Sequence, residues 1–445
     1  MKILFISLGC DKNLADSEEM LGLLTGSGHE IVDSEEEAEA IVINTCCFIH
    51  DAKEESVNTI LEMAEYKKSG TCKVLIVTGC MAQRYKEEIT QEIPEVDAVL
   101  GTTSYGDIVK ALNEAQAGNV FQEFRDINDL PEDSGRRVIT TGGHFGYLKI
   151  AEGCDKHCTY CIIPSLRGKF RSVPEERLLK QAEYMASQGV KELILVAQET
   201  TVYGTDLYGK KTLHILLKKL CQIKGIRWIR VLYCYPEEIY DELIQVMKEE
   251  KKICHYLDLP IQHASDRILR RMGRRTSKAQ LVEIITKLRK EIPDIVLRTS
   301  LITGFPGETE EDHQELMEFV DEMEFDRLGV FTYSPEEGTP AESMEGQVPE
   351  ELKEERRDEI MELQQEISLE KGNARIGQEL LVMIEGKVSG ESAYIGRTYG
   401  DAPKVDGYMF VQTGELLVTG DFAKVKVTGA LEYDLIGELA DEYTE

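Results

Sequence analysis

Three short apolar runs, each ending at a cysteine, constrain this chain more than any other feature. Ile3-Leu-Phe-Ile-Ser-Leu-Gly9 leads into Cys10, Ala40-Ile-Val-Ile-Asn-Thr45 into Cys46, and Val74-Leu-Ile-Val-Thr-Gly79 into Cys80. A short, continuous apolar run reads as a strand buried on both faces, as in a parallel sheet. Amphipathic segments of helical length, such as Asp16 to Leu24 and Glu54 to Lys67, alternate with the runs. The N-terminal part therefore reads as repeated β-α units in an open α/β sheet. Such sheets bind ligands outside the carboxyl ends of their strands. All three cysteines fall there, so a three-thiolate site is expected from topology alone. The competing reading is three packed thiols, since free cysteine suits a core; its repetition at three equivalent strand ends works against that. Cys47 adjoins Cys46, and Cys46 is preferred because it directly follows the strand-end pair Asn44-Thr45.

A second trio is local. Cys154, Cys158 and Cys161 form C-x3-C-x2-C in Ala151-Glu-Gly-Cys-Asp-Lys-His-Cys-Thr-Tyr-Cys-Ile-Ile-Pro164. Ferredoxin runs and structural zinc sites use four protein ligands. Here the next cysteine is Cys221, so a cluster held by these three keeps one metal corner open for a substrate or cofactor. A Cys3His zinc site using His157 is the alternative, and the adjacency of His157 to Cys158 works against it. Cys72, Cys221, Cys234 and Cys254 have no partner at metal spacing and read as packed thiols. An odd total of eleven cysteines argues against a disulfide framework and suits a reducing cytosol.

Three domains are expected: 1–115, 140–372 and 375–441. The segment from Glu114 to Gly135 reads as a linker. Strands then recur at Tyr147–Ile150, Glu192–Val196, Trp228–Leu232, Tyr256–Leu259, Val296–Ile302 and Gly329–Thr332, with helical segments between them. Six such units predict a parallel partial barrel, whose chemistry lies at the carboxyl ends of its strands. The charged stretch Glu345 to Asn373 reads as a solvated connecting helix. From Gly377, short strands between glycine turns predict a small antiparallel barrel. No apolar run approaches the ~20 residues that span a bilayer, and the start lacks a signal-peptide pattern; a soluble, cytoplasmic protein is expected. With 82 acidic against 51 basic residues the net charge is −31. That balance disfavours a nucleic-acid substrate and favours a basic partner, although a generally acidic set of host proteins would produce it too. From Arg375 onward there are 13 acidic and six basic side chains, the wrong sign for an RNA-binding barrel.

The order of parts resembles the methylthiotransferases of the radical S-adenosylmethionine superfamily over essentially the whole chain, with a TRAM domain as the small barrel. Ser7-Leu-Gly-Cys-Asp-Lys-Asn-Leu-Ala-Asp-Ser-Glu18, Gln198-Glu-Thr-Thr-Val-Tyr-Gly204 and Gly396-Arg-Thr-Tyr-Gly-Asp-Ala-Pro-Lys-Val-Asp-Gly407 resemble the branch acting on an aspartate of small-subunit ribosomal protein twelve. The family pattern more often has proline where Asp11 stands and an acidic residue where Lys404 stands. The resemblance implies two [4Fe-4S] clusters, one on Cys154, Cys158 and Cys161 and one on Cys10, Cys46 and Cys80. It implies that the first splits S-adenosylmethionine to a 5′-deoxyadenosyl radical, which takes hydrogen from the aspartate β-carbon. The second cluster would offer sulfur, and a second S-adenosylmethionine the methyl group. It implies an electron donor such as flavodoxin or ferredoxin. Tyr160, Glu199, Thr200 and Arg230 are the expected cofactor contacts, and Asp401 and Asp406 the expected docking acids for the ribosomal protein or the small subunit. His263 is a further candidate, and Arg167, Lys169 and Arg171 read as a basic patch beside the cluster loop. The rivals are a tRNA adenosine methylthiotransferase and, from another class, a non-catalytic iron–sulfur carrier, which would not consume S-adenosylmethionine.

Overall fold

The computed structural model describes residues 1–132 and 135–440. Its first sheet contains β1 (Lys2–Ser7), β2 (Glu30–Val32), β3 (Ala40–Thr45), β4 (Val74–Gly79), β5 (Ala98–Leu100) and β6 (Phe121–Glu123). Every pairing is parallel, in the order β2-β1-β3-β4-β5-β6. β3 and β4 are buried at every position, as their unbroken apolar sequence requires. The strand order reverses beside β1, which makes the carboxyl ends of β1 and β3 the topological switch point. β6 lies within the segment expected to be a linker. It is a half-buried edge strand of three residues, too short and too polar to announce itself. Residues 133 and 134 of that segment, and residue 441, the expected end of the third domain, lie outside the described residues.

The second sheet is built from β7 (Phe145–Lys149), β10 (Glu192–Val196), β11 (Trp228–Val231), β12 (Ile253–Asp258), β13 (Val296–Thr303) and β14 (Arg327–Thr332). They pair in sequence order and in parallel. β8 (Ala151–Glu152) and β9 (Arg171–Ser172) form a small antiparallel pair after β7. Side chains alternate across this sheet. Leu148, Leu193, Leu195, Ile229, Leu257 and Leu297 pack outward against the connecting helices. Tyr147, Ile194, Trp228, Tyr256 and Val296 belong to a separate cluster, shared with Met383 and Phe422 of the C-terminal barrel. The helix Glu350–Asn373 is more than a solvated connector. It buries Ile360, Gln364 and Ile367, Gln364 donates to the Phe325 carbonyl at 2.8 Å, and Arg356 pairs with Glu308 at 2.9 Å.

The third unit closes as a barrel, β15 (Glu379–Lys387), β16 (Ala393–Thr398), β17 (Met409–Gln412), β19 (Leu435–Leu439) and β18 (Phe422–Ala430) in spatial order. Its dock on the central sheet corrects three sequence expectations. Arg230 is fully buried there; it donates to Glu192 at 2.8 Å and to the Tyr399 carbonyl at 2.7 Å, so it joins domains and is not a cofactor contact. Glu192 also accepts from Arg397 of β16 at 2.7 Å. Asp401 is buried against Arg327, and Asp406 accepts from Tyr256 at 2.7 Å with Arg298 at 3.4 Å. Neither aspartate is a surface docking acid, because buried carboxylates persist where cations of the facing element neutralise them. No described helix is long and apolar enough to cross a membrane.

Candidate active site

Cys10, Cys46 and Cys80 each follow the last residues of β1, β3 and β4. Gly9 and Gly79, which precede two of them, have φ of +84° and +93°. A Cβ on Gly9 would stand 2.6 Å from Cys46 Cβ and 2.9 Å from its Sγ, so only glycine lets the Cys10 loop lie on Cys46. Burial pushes the Cys46 thiol up to about 12, with the Cys80 and Cys10 thiols adding to the effect. Cys47 faces the apolar cluster of Ile43 and Val77. Asn13 ties the three loops together. Its amide donates to the Leu8 carbonyl at 3.2 Å and the Thr45 carbonyl at 2.9 Å, and its Oδ1 lies 3.9 Å from Cys80 Sγ.

The second trio lies in the loop after β8. Burial pushes Cys154 up to about 11 and Cys161 up to about 12, and the Cys158 thiol adds to both. Gly153, at φ +73°, lies against the Gly168 and Lys169 carbonyls and admits no side chain. Cys158 Sγ is 3.8 Å from Tyr235 Oη. Tyr160 packs edge-on to Phe305 with centroids 6.3 Å apart. His157 is exposed.

A buried carboxylate and a buried guanidinium, each with polar atoms that have no hydrogen-bond partner among the described residues, border this loop. Glu199 is 1% exposed; one oxygen accepts from Thr201, and Oε2 has no partner among the described residues. Burial pushes its carboxyl up to about 7 against those hydrogen bonds. Arg274, over the Tyr235 ring at 4.3 Å, donates one Nη2 bond to the Pro260 carbonyl at 2.9 Å and has Glu237 at 3.9 Å, while its Nε and Nη1 have no hydrogen-bond partner among the described residues. A bound zwitterion, amine to Glu199 and carboxylate to Arg274, would satisfy both groups. The methionine end of S-adenosylmethionine has that form, and a donor set of three thiols is that of a four-iron cluster with one iron left open; the residue types present fit both. Sequence reasoning missed Arg274, whose only signal is its place in a basic run. Thr200 is buried with its hydroxyl given to the Leu232 carbonyl at 2.8 Å, a loop-closing role. His263 is likewise internal: Nδ1 accepts from the Ser265 amide at 3.0 Å, and Nε2 lies 3.5 Å from Glu308.

The two sets of cysteines are joined by charge. Arg167, six residues past Cys161, is 3% exposed and donates to Asp16, Glu152 and Asn13 Oδ1. It is no surface patch, because its partners come from two other segments. Lys149 of β7 pairs with Asp16 and Glu152. Burial opposes ionisation of Glu152, but Lys149 and Arg167 outweigh it and hold its carboxyl down at about 2. Arg137 pairs with Glu18 at 2.6 Å. The helix Asp11–Gly26 is thereby fixed to the carboxyl end of β7, with both cysteine loops on the same junction.

Comparison with known proteins agrees with this layout. Residues 2–101 match the uncharacterized protein family UPF0004, residues 148–320 the radical SAM superfamily and residues 376–440 the TRAM domain. Among solved structures, the radical S-adenosylmethionine methyltransferase TsrM from Kitasatospora setae, solved with cobalamin and a [4Fe-4S] cluster, aligns with a TM-score of 0.55 at 12% identity, over 76% of this chain and 73% of that one. The cobalamin-dependent radical enzyme OxsB aligns at 0.51 and 14% identity, over 82% of this chain and 56% of that one. These two likenesses are of fold. The fold and site define a radical S-adenosylmethionine enzyme with a TRAM domain, which works with an iron–sulfur cluster and S-adenosylmethionine. The ribosomal protein uS12 methylthiotransferase RimO of Lachnoclostridium phytofermentans is 65% identical over 437 residues, 98% of this chain and 99% of that one. Its namesake from Clostridium botulinum strain Langeland is 50% identical over 445 residues, 100% of this chain and 99% of the relative. The chain belongs to the ribosomal protein uS12 methylthiotransferase family.

Proposed function

We infer that this enzyme methylthiolates the β-carbon of an aspartate in ribosomal protein uS12, using two [4Fe-4S] clusters. The observation that carries the reading is the pair of three-thiol sets on one junction, linked through Asn13 and Arg167. A carrier has no need of two open-corner sites or of a buried zwitterion receptor beside one of them. Full-length identity to enzymes named for uS12 supports the substrate. The net charge of −31 favours a basic protein partner over tRNA.

When bound, the clusters and S-adenosylmethionine supply the radical and sulfur chemistry that no side chain provides. The chain's own residues hold and orient. Cys154, Cys158 and Cys161 would carry the cluster that engages S-adenosylmethionine, with Tyr160 and Tyr235 as walls. Glu199 and Arg274 would fix the amine and carboxylate of its methionine end. Cys10, Cys46 and Cys80 would carry the second cluster, and the Asp16–Lys149–Glu152–Arg167 network keeps the two loops in register. Electrons would come from a small redox protein such as flavodoxin or ferredoxin, in a reducing cytoplasm. The test is mass spectrometry of uS12 from cells with and without the gene. A methylthio-aspartate present only with the gene is expected; an unchanged uS12 mass would sink the reading.

A further inference from the structure

We propose that Lys12 receives the side-chain carboxylate of the substrate aspartate, an inference that rests on the function above. Lys12 lies in the first turn of the helix Asp11–Gly26, two residues past Cys10. It is 7% exposed, and its Nζ stands 3.3 Å from the centroid of the Tyr233 ring. Tyr233 follows β11 at the carboxyl end of the central sheet. The ammonium is therefore at the meeting of the N-terminal cysteine loops and the barrel mouth.

Lys12 differs from the other cations of that junction in having no carboxylate in direct contact; Tyr233, Cys10 and Asp11 favour its charge against burial. Lys149, Arg167 and Arg137 are matched by Asp16, Glu152 and Glu18. No ion pair to Lys12 exists among the described residues, and its neighbour Asp11 is 3.4 Å from the Tyr233 hydroxyl that donates to it. A ring face recovers only part of the cost of burying an ammonium. The receptor is also rigid. Tyr233 has φ +59°, a left-handed conformation costly for an aromatic residue, and its amide donates to Asp258 at 3.1 Å. Asp258 is in turn fixed by Arg298 at 2.8 Å. Gln262, after the next strand, has φ +71°. Backbone strain of this kind concentrates where a site must be held in one geometry.

A buried ammonium with no carboxylate in direct contact can take an anion as its partner. The reacting β-carbon of aspartate is bonded to its carboxylate carbon, so a carboxylate held at Lys12 places that carbon next to a fixed point beside the Cys10 loop and Tyr233. This gives the enzyme a reason to prefer aspartate to the isosteric asparagine.

The experiment compares binding of purified uS12 and of its variant with asparagine at the modified position. The proteins are the cluster-loaded enzyme, Lys12→Met and Lys12→Arg, with iron content and unfolding temperature measured alongside. A hydrogen-bonded charge pair predicts that the wild type binds the aspartate form about tenfold or more tightly than the asparagine form. Lys12→Met should abolish the preference and Lys12→Arg should keep most of it. The proposal is overturned if the wild type has no preference, or if Lys12→Met retains it, or weakens both forms equally. Because the wild-type comparison needs no mutant to fold, an unstable Lys12→Met does not rescue a wrong proposal. Failure of the wild type to modify the aspartate form at all is a separate result that would remove the function and this inference together.

Discussion

At the scale of single residues, the preference for Cys46 over Cys47 rests on the close approach of Gly9 to the Cys46 side chain. Cys46 lies beneath Gly9, and the Cys80 and Cys10 thiols act on its own, whereas Cys47 belongs to the apolar cluster of Ile43 and Val77, which Cys80 also joins. Replacing Cys46 by alanine should remove about half of the iron from reconstituted enzyme and stop sulfur insertion. Uncoupled 5′-deoxyadenosine should still form on the separate trio in the barrel loop. Cys47→Ala should retain the iron; iron analysis of the two variants decides, and the reverse pattern would exchange their roles. The proposal for the six cysteines rests on spacing and strand-end topology, which survive in a bare sequence. Asn13, Arg167 and Arg274 were not legible there, because their meaning depends on partners distant in sequence. Arg167 reads as one of three nearby basic residues until Asp16 and Glu152 are brought beside it. The same limit misled the reading of Asp401 and Asp406, which look like exposed acids in a glycine-rich loop. Each is buried against arginines of the central sheet. Asp401→Asn should therefore act on stability, costing on the order of 3 kcal/mol for the uncompensated Arg327. A denaturant melt followed by circular dichroism measures it; an unchanged midpoint together with weakened uS12 binding would restore the docking role.

At the scale of elements, the strands found from sequence were those with unbroken apolar runs or clear alternation. β2, β5 and β6 are three-residue strands, and β16 and β19 carry glycine or charge in the barrel wall, so none has a period long enough to register. What no pattern encoded is the fit of the small barrel to the central sheet. That junction contains the chain's single tryptophan, Trp228, edge-on to Phe422 with centroids 4.8 Å apart. It also holds carboxylates that burial alone would neutralise. Arg397 and Arg230 outweigh burial at Glu192, His144 and Arg397 at Glu385, and Arg327 at Asp401, so all three have lowered pKa values. A lowered folded pKa gives stability that is present above the unfolded value, about 4, and lost as pH falls through the folded one. Asp406, raised by burial, opposes this and reduces the net effect. The dock should accordingly hold from neutral pH down to about 4 and loosen below it. Trp228 emission should shift red in that acid range, before or with global unfolding. A tryptophan signal that stays flat while far-ultraviolet circular dichroism collapses would contradict the assignment of these carboxylates to the dock.

At the scale of the whole molecule, removing Asp401 and Asp406 from the surface changes how the charge of −31 must act. No single acidic patch in the TRAM domain is left to carry recognition by those two residues. Attraction for a basic protein then comes from the summed field of many exposed carboxylates, and chemical selection, on the proposal above, from the buried junction where Lys12 lies. Long-range fields of this kind raise association rates, by about 10- to 1,000-fold, more than they deepen the bound state. They are screened within roughly 10 Å at 0.1 M salt. The rate of association with uS12 should therefore fall steeply between low and high salt, while the dissociation rate changes little. Neutralising one exposed glutamate should matter far less than adding salt. Stopped-flow binding across a salt series measures both rates. An association rate indifferent to salt would mean that the acidic surface plays no part in recruiting the substrate, and that the contacts at the junction account for binding without it.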